Sequence, residues 1–308
     1  MKIWVMPASE DWICDRLVED WNQYNSDIST KNIHESDIIW LLSDWRWKDI
    51  PKNILNTKKV VTTVHHIVPR KFDLNDFLER DKITTLYHVY NEHTYKQIKS
   101  HTTKQIKLIP YWVNQNRWEY KNNKEQFRRK FNISNNCYAI GSFQRDTEGH
   151  DLRSPKLEKG PDLLIKFYEQ LKDNFEDWKN RNCIDEKFTT FKIILGGWRR
   201  QYMIENLKAL KLDYSYYELP KQEILNELYQ SLDLYSIAAR YEGGPQALLE
   251  CGALNVPTIT TPVGIAEQVL PKESINQNIF IAKPNIPSIM KMKLPNGFIK
   301  YREMFKTL

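Results

Sequence analysis

No apolar run in this 308-residue chain approaches the roughly 20 residues that a membrane-spanning helix needs. The opening MKIWVMPASEDW has too short an apolar run for a secretory leader and reads instead as a first strand. Cysteine is sparse: Cys14, Cys137, Cys183 and Cys251 lie far apart and show no metal-ligand spacing. That pattern fits free thiols in a reducing cytoplasm and excludes a cysteine-based metal site. No repeat recurs at a fixed period, which excludes a solenoid. The excess of positive charge is mild, a formal +6. It favours anionic partners such as nucleotide phosphates or a lipid surface. No nucleic-acid motif accompanies it, so no nucleic acid is expected as a partner.

What is present is an alternation of strands and helices. Residues 2–7, 38–42, 60–64, 84–89 and 106–109 read as strands, with helices over about 9–24 (Trp12, Leu17, Trp21 and Tyr24 inward) and from Asn91. Residues 111–135 are polar and charged, and read as a linker plus one helix. Strands follow at 138–143, 191–195, 214–219, 232–239 and 256–260, with helices at 161–174, at about 198–210 and at 222–231 between them. Such alternation implies an α/β fold with parallel sheets. The length suggests about two domains. The expected division is 1–115, 116–294 and a helical tail over 295–308.

The most informative stretch is Arg240 to Gly264, RYEGGPQALLECGALNVPTITTPVG. A strand leads into Glu242-Gly243-Gly244-Pro245, a turn, and Pro245 suits the first position of a helix. That helix runs from Gln246 to about Leu254, with Asn255 as its stop. Backbone N–H groups at a glycine turn before a helix can converge on an anion. Glu242 lies in the loop. Glu250 lies eight residues on, beside an apolar stripe of Ala247, Cys251 and Leu254. A carboxylate there must be hydrogen-bonded, and vicinal hydroxyls of a ribose or sugar would serve. A solvated helix glutamate is the plainer alternative.

This stretch resembles the Glu-x7-Glu signature of retaining glycosyltransferases of family 4. The resemblance implies the GT-B fold, two Rossmann-like domains with parallel sheets facing across a cleft. It departs from the family at Asn255, where a glycine is usual, and at Gly264-Ile265, where two glycines are usual. It also implies roles. Glu250 binds the ribose hydroxyls of a nucleotide. Glu242, with the backbone of Gly243, Gly244 and Gln246, holds sugar and diphosphate. Ser142 and Arg145 end a strand, and Lys159 precedes a K-G-x-x-x-L helix, so Arg145 and Lys159 form a cationic clamp on the diphosphate. The long loop TEGHDLRSP leaves the register of Lys156 against Lys159 open. His65, in V-T-T-V-H-H-I-V-P, matches the family histidine that faces the donor sugar, while His66 stands where aspartate is common. Leu219 lines the base pocket, unless it merely packs.

The same resemblance implies transfer from a nucleoside-diphosphate sugar, with UDP the expected nucleotide, to a glycan or lipid-linked acceptor. It implies no cofactor and no metal, and no Asp-x-Asp pair is present to demand one. Trp45 and Trp47, set among cations, suit an acceptor platform, a membrane interface, or packing beneath their own loop. The expected location is cytoplasmic, with peripheral contact to an anionic membrane. A nucleotide-sugar epimerase and a non-catalytic nucleotide-sugar-binding protein remain as alternatives on the same fold.

Overall fold

The computed structural model describes residues 1–10 and 13–308. Asp11 and Trp12 lie outside that description, and with them the inward placement expected of Trp12. The chain divides into two compact units, Met1–Asn114 with Lys291–Leu308, and Gln115–Met290.

The first unit runs β1 (Ile3–Val5), α1 (Ile13–Tyr24), β2 (Ile38–Leu41), α2 (Lys52–Leu55), β3 (Lys59–Val64), α3 (Leu74–Ile83), β4 (Leu86–Val89), α4 (Glu92–Lys99) and β5 (Ile106–Leu108). The five strands are parallel and lie side by side in chain order. β2 and β4 are buried along their whole length, as parallel strands covered on both faces must be. On one face of β2, Ile39 and Leu41 pack with Trp47 and Leu55. On the other, the Trp40 ring meets Trp21 of α1 edge-on at 5.2 Å. Helices α3 and α4 begin at side-chain caps: Asp73 accepts from the N–H groups of Asn75 and Asp76, and Asn91 from that of Thr94.

The second unit runs α5 (Lys124–Lys130), β6 (Cys137–Ser142), the short antiparallel pair β7 (Thr147–Glu148) and β8 (Ser154–Pro155), α6 (Pro161–Arg181), β9 (Thr190–Gly197), α7 (Gln201–Ala209), β10 (Tyr214–Glu218), α8 (Gln222–Ser231), β11 (Leu234–Ile237), α9 (Gln246–Ala253), β12 (Thr258–Thr260) and α10 (Ala266–Val269). Its parallel sheet has the order β10-β9-β6-β11-β12. The chain steps outward from β6 to β10, then returns to the other side of β6 with β11. At such a reversal the loops after the two central strands diverge and leave a crevice beyond their carboxyl ends.

Two expected boundaries shift. Helix α6 continues past Asn174, where the backbone leaves helical values (φ −137°, ψ 35°). Beyond that break Trp178 is buried against Tyr138 and Phe167, and burying an indole repays the extra turns. Pro245 is not the first helical residue. It caps α9 with a non-helical ψ of 110°, and the helix starts at Gln246. Asn255 follows that helix at φ 56°, the left-handed conformation that asparagine adopts more readily than most residues, so it replaces the usual glycine without losing the turn.

The chain's closing helix, α11 (Ile299–Lys306), completes the first unit. Its Phe305 packs on Trp21 and Trp40, and Tyr301 on Trp40 and Trp112. All four cysteines are unpaired. Among the described residues, no helix is long and apolar enough to cross a membrane.

Candidate active site

Past the carboxyl ends of the central strands of the second unit, three loops hold each other through hydrogen bonds to backbone carbonyls and one close backbone approach. Arg240 and Tyr241, after β11, donate their N–H groups to the Glu158 carbonyl at 2.9 and 3.2 Å. Gly160 has φ 61°, and a Cβ there would stand 1.8 Å from the Ala238 carbonyl oxygen. Only glycine permits this approach. From the third loop, after β6, Gln144 donates through Nε2 to the Lys159 carbonyl at 2.9 Å.

This stitching brings Lys159 to Glu242, where Nζ and Oε1 form an ion pair, both side chains being mostly shielded from water. Lys156, the other candidate in register, instead lies 3.8 Å from Glu158. Gly243, Gly244 and Pro245 are buried. Gly264 (φ 57°) sits against that turn, leaving 2.8 Å between a notional Cβ and the Gly244 Cα. The turn is thereby fixed from behind before α9 begins at Gln246.

Glu250 lies one turn into α9 and is 5% exposed. The Tyr229 phenol donates to its Oε2 at 2.7 Å. The carboxylate that the sequence leaves in need of a partner has one from α8.

Arg145 donates from Nε to the Thr147 carbonyl at 3.0 Å, and its guanidinium lies 5.2 Å from the Trp198 ring centre. Burial and the like charge of Arg199 pull its pKa below the usual range. Arg199 covers the same indole at 4.4 Å. Ser142 is fully buried and its hydroxyl accepts from Arg200 at 3.2 Å. Leu219 is 55% exposed, at φ 40°, just past the end of β10.

Beneath these loops lies a pair that the sequence reading missed. Arg200 and Asp146 are both fully buried and form an ion pair. Arg200 also donates to the carbonyls of Ser142 and Gly196, tying the ends of β6 and β9 together. Asp146 stands 54 positions from its partner and directly follows Arg145. Nothing local in sequence joins the two.

In the first unit, His65 follows β3. Its Nδ1 is 2.6 Å from the Tyr111 hydroxyl, and its Nε2 donates to the Leu42 carbonyl at 2.7 Å. Burial opposes charge on this imidazole, but the Cys14 sulfur, the Asp44 carboxylate and the Leu42 carbonyl outweigh it, and its pKa is pushed up to about 9. Trp47 is buried and donates to Asp76 at 3.4 Å, so it packs beneath its own loop. Trp45 is 49% exposed and lies 5.8 Å from His65, ring to ring. Among the described residues no group of three or more His, Cys, Asp or Glu side chains could hold a metal.

Residues 154–291 match the family model described as Glycosyl transferases group 1. The chain thus carries a glycosyltransferase domain, and its fold is GT-B. The HepE protein of Anabaena, solved with UDP and glucose, is similar over 100% of both chains at 12% identity, with a TM-score of 0.72. A glycosyltransferase from Rickettsia africae is similar over 99% of this chain and 97% of its own, at 14% identity and a TM-score of 0.64. WaaG, a glycosyltransferase involved in lipopolysaccharide biosynthesis, covers 86% of this chain and 82% of its own at 12% identity and a TM-score of 0.55. At such identities the likeness speaks for the GT-B fold. No curated protein matches the sequence.

Proposed function

We propose that this chain moves a sugar, with retention of configuration, from a UDP-sugar to an acceptor hydroxyl on a glycan or lipid-linked saccharide. The observation that carries the reading is the Lys159–Glu242 pair at a glycine turn, placed where the sheet order reverses and followed eight residues later by the buried Glu250. Such a crevice is where nucleotides bind in open parallel sheets. A neighbour of the same fold was solved with UDP-glucose, which supports the choice of nucleotide.

In this reading Glu250 accepts from the ribose hydroxyls. The N–H groups of Gly243, Gly244 and Gln246 face the diphosphate, and Glu242 keeps the Lys159 ammonium in place beside it. Lys159 and Arg145 neutralise the charge that grows on the leaving diphosphate, worth about 3–4 kcal/mol for a well-placed contact. As the bond from the anomeric carbon to the phosphate oxygen breaks, the acceptor oxygen bonds to that carbon on the same face. The leaving phosphate takes the acceptor's proton. No enzyme nucleophile and no metal is required. Leu219 borders the base, while His65, with both ring nitrogens engaged by Tyr111 and Leu42, is assigned no bond to the donor. The mild positive charge and the exposed Trp45 support contact with an anionic membrane surface on the cytoplasmic side.

A thermal-shift panel of UDP, GDP, ADP, CDP and their sugars, on wild type and Glu250→Ala, tests the donor site. A nucleotide at 100 times its dissociation constant adds about 2.7 kcal/mol of stability, so UDP should raise the wild-type melting temperature and do less for the variant. If no nucleotide shifts the wild type, the reading fails. Proton NMR of the first product's anomeric centre tests retention.

A further inference from the structure

Tyr229 is 1% exposed and has no place in the chemistry above. Three aromatic rings hold it. Phe143 lies 4.7 Å away at 69°, Trp118 at 5.5 Å and 87°, and Tyr235 at 5.2 Å. Tyr235 is itself pinned, since its hydroxyl accepts the Phe143 N–H at 2.8 Å. A ring caged on three sides keeps one rotamer, so its hydroxyl has one direction, towards Glu250 Oε2 at 2.7 Å. Burial, then the Glu250 charge, raises the phenol's pKa well above its ordinary value. In this bond the phenol is the donor and the carboxylate the acceptor.

We propose that Tyr229 is a positioning residue for the ribose: by fixing one oxygen of Glu250, it sets the carboxylate to accept from the vicinal hydroxyls and makes the site select ribonucleotides over deoxyribonucleotides. The inference rests on the ribose role given to Glu250 above. A hydrogen bond to a carboxylate rewards a hydroxyl only when the carboxylate is already aimed, because otherwise the ordering cost falls on binding. Phe143 adds a link. It stands two residues before Arg145, so the cage that orients Glu250 is continuous with the loop that carries the clamp cation.

The test is calorimetric titration of UDP and 2′-deoxy-UDP into the wild type, Tyr229→Phe and Phe143→Leu. Wild type should prefer UDP by about 10- to 100-fold, the range for one hydrogen bond to a charged group. Tyr229→Phe keeps the ring and loses the donor. It should weaken UDP about tenfold, leave 2′-deoxy-UDP within about twofold, and so cut the preference about tenfold. Retained binding of the deoxynucleotide shows that the variant is folded. Should it not fold, Phe143→Leu, which opens the cage and keeps the phenol, must lower the preference in the same direction. A preference undiminished in Tyr229→Phe, or in Phe143→Leu if that variant must stand in, overturns the positioning role alone. Wild type with no preference overturns the ribose role of Glu250, and the inference falls with it.

Discussion

The two sheets have the same number of parallel strands and different strand orders. In the first unit the strands lie in chain order, β1 to β5. In the second the order reverses beside β6. Charged side chains past the strand ends pair in both units, and in the first Asp44, after β2, meets Arg80 of α3. In the second unit they meet one another: Lys159 with Glu242, Arg200 with Asp146, and the Tyr229 phenol with Glu250. In the first unit the comparable residue, His65, is held by a backbone carbonyl and a tyrosine hydroxyl. A reversal leaves a gap between loops, and loops across a gap need ion pairs and tight turns to stay in place. A sheet without one can close its ends with aromatic rings. Tyr90 and Tyr111 stack there at 3.4 Å.

The largest blow to this contrast should come from the buried pair. Asp146→Ala leaves the Arg200 guanidinium uncompensated in a dry site, at a cost of about 3–5 kcal/mol. Urea denaturation followed by tryptophan fluorescence should show the loss; a change under about 1 kcal/mol would mean that the crevice does not depend on charge for its rigidity. Lys159→Ala comes next, and acts on turnover. We expect kcat for sugar transfer to fall about 100- to 1,000-fold, with the melting temperature lowered less than in Asp146→Ala, because this pair keeps some access to water and the deeper one has none. A large loss of stability instead would class this pair with the structural one beneath it.

His65 sharpens the contrast from the other side. Its pKa lies near 9 in the fold and about 6.5 unfolded. The raised value means that its contribution is fully present below pH 6.5 and is lost as pH rises through about 9. Because it is only half-buried, about 1–2 kcal/mol is expected. The gap in melting temperature between wild type and His65→Gln should be widest at pH 6 and close by pH 10. A gap that does not vary with pH would show that the imidazole is held as a neutral group. The smallest effect belongs to Trp45→Ala, which should change stability by less than about 0.5 kcal/mol. If it also leaves binding to anionic vesicles unchanged in a flotation assay, the proposed membrane contact loses its exposed indole.

Where pattern repeats within a few residues, the sequence was readable. Helix α8 occupies Gln222–Ser231, the span expected from its composition and the Pro220 before it. The glycine turn, the strand before it and the α/β alternation were equally plain. α3 went unassigned although Asp73, its cap, stands in the text, because its apolar positions are few. What sequence could not carry is pairing across the sheet. Glu250 visibly needed a partner, but Tyr229 comes from the preceding helix, 21 positions away, and Arg200 finds Asp146 across two strands. His65 gathers the Leu42 carbonyl, the Tyr111 hydroxyl, the Cys14 sulfur and the Asp44 carboxylate from four separate segments, and no local pattern announces that convergence.

The division of the chain sets a timetable for its synthesis. The second unit is one continuous segment, Gln115–Met290, while the first unit needs Lys291–Leu308 to be whole. Phe298, Tyr301 and Phe305 fill the space between Trp21, Trp40 and Trp112. On the ribosome, where domains fold as they emerge, the segment Met1–Asn114 leaves the tunnel with its indoles uncovered. It waits in that state until the entire second unit has been made. The unit written first is the one finished last.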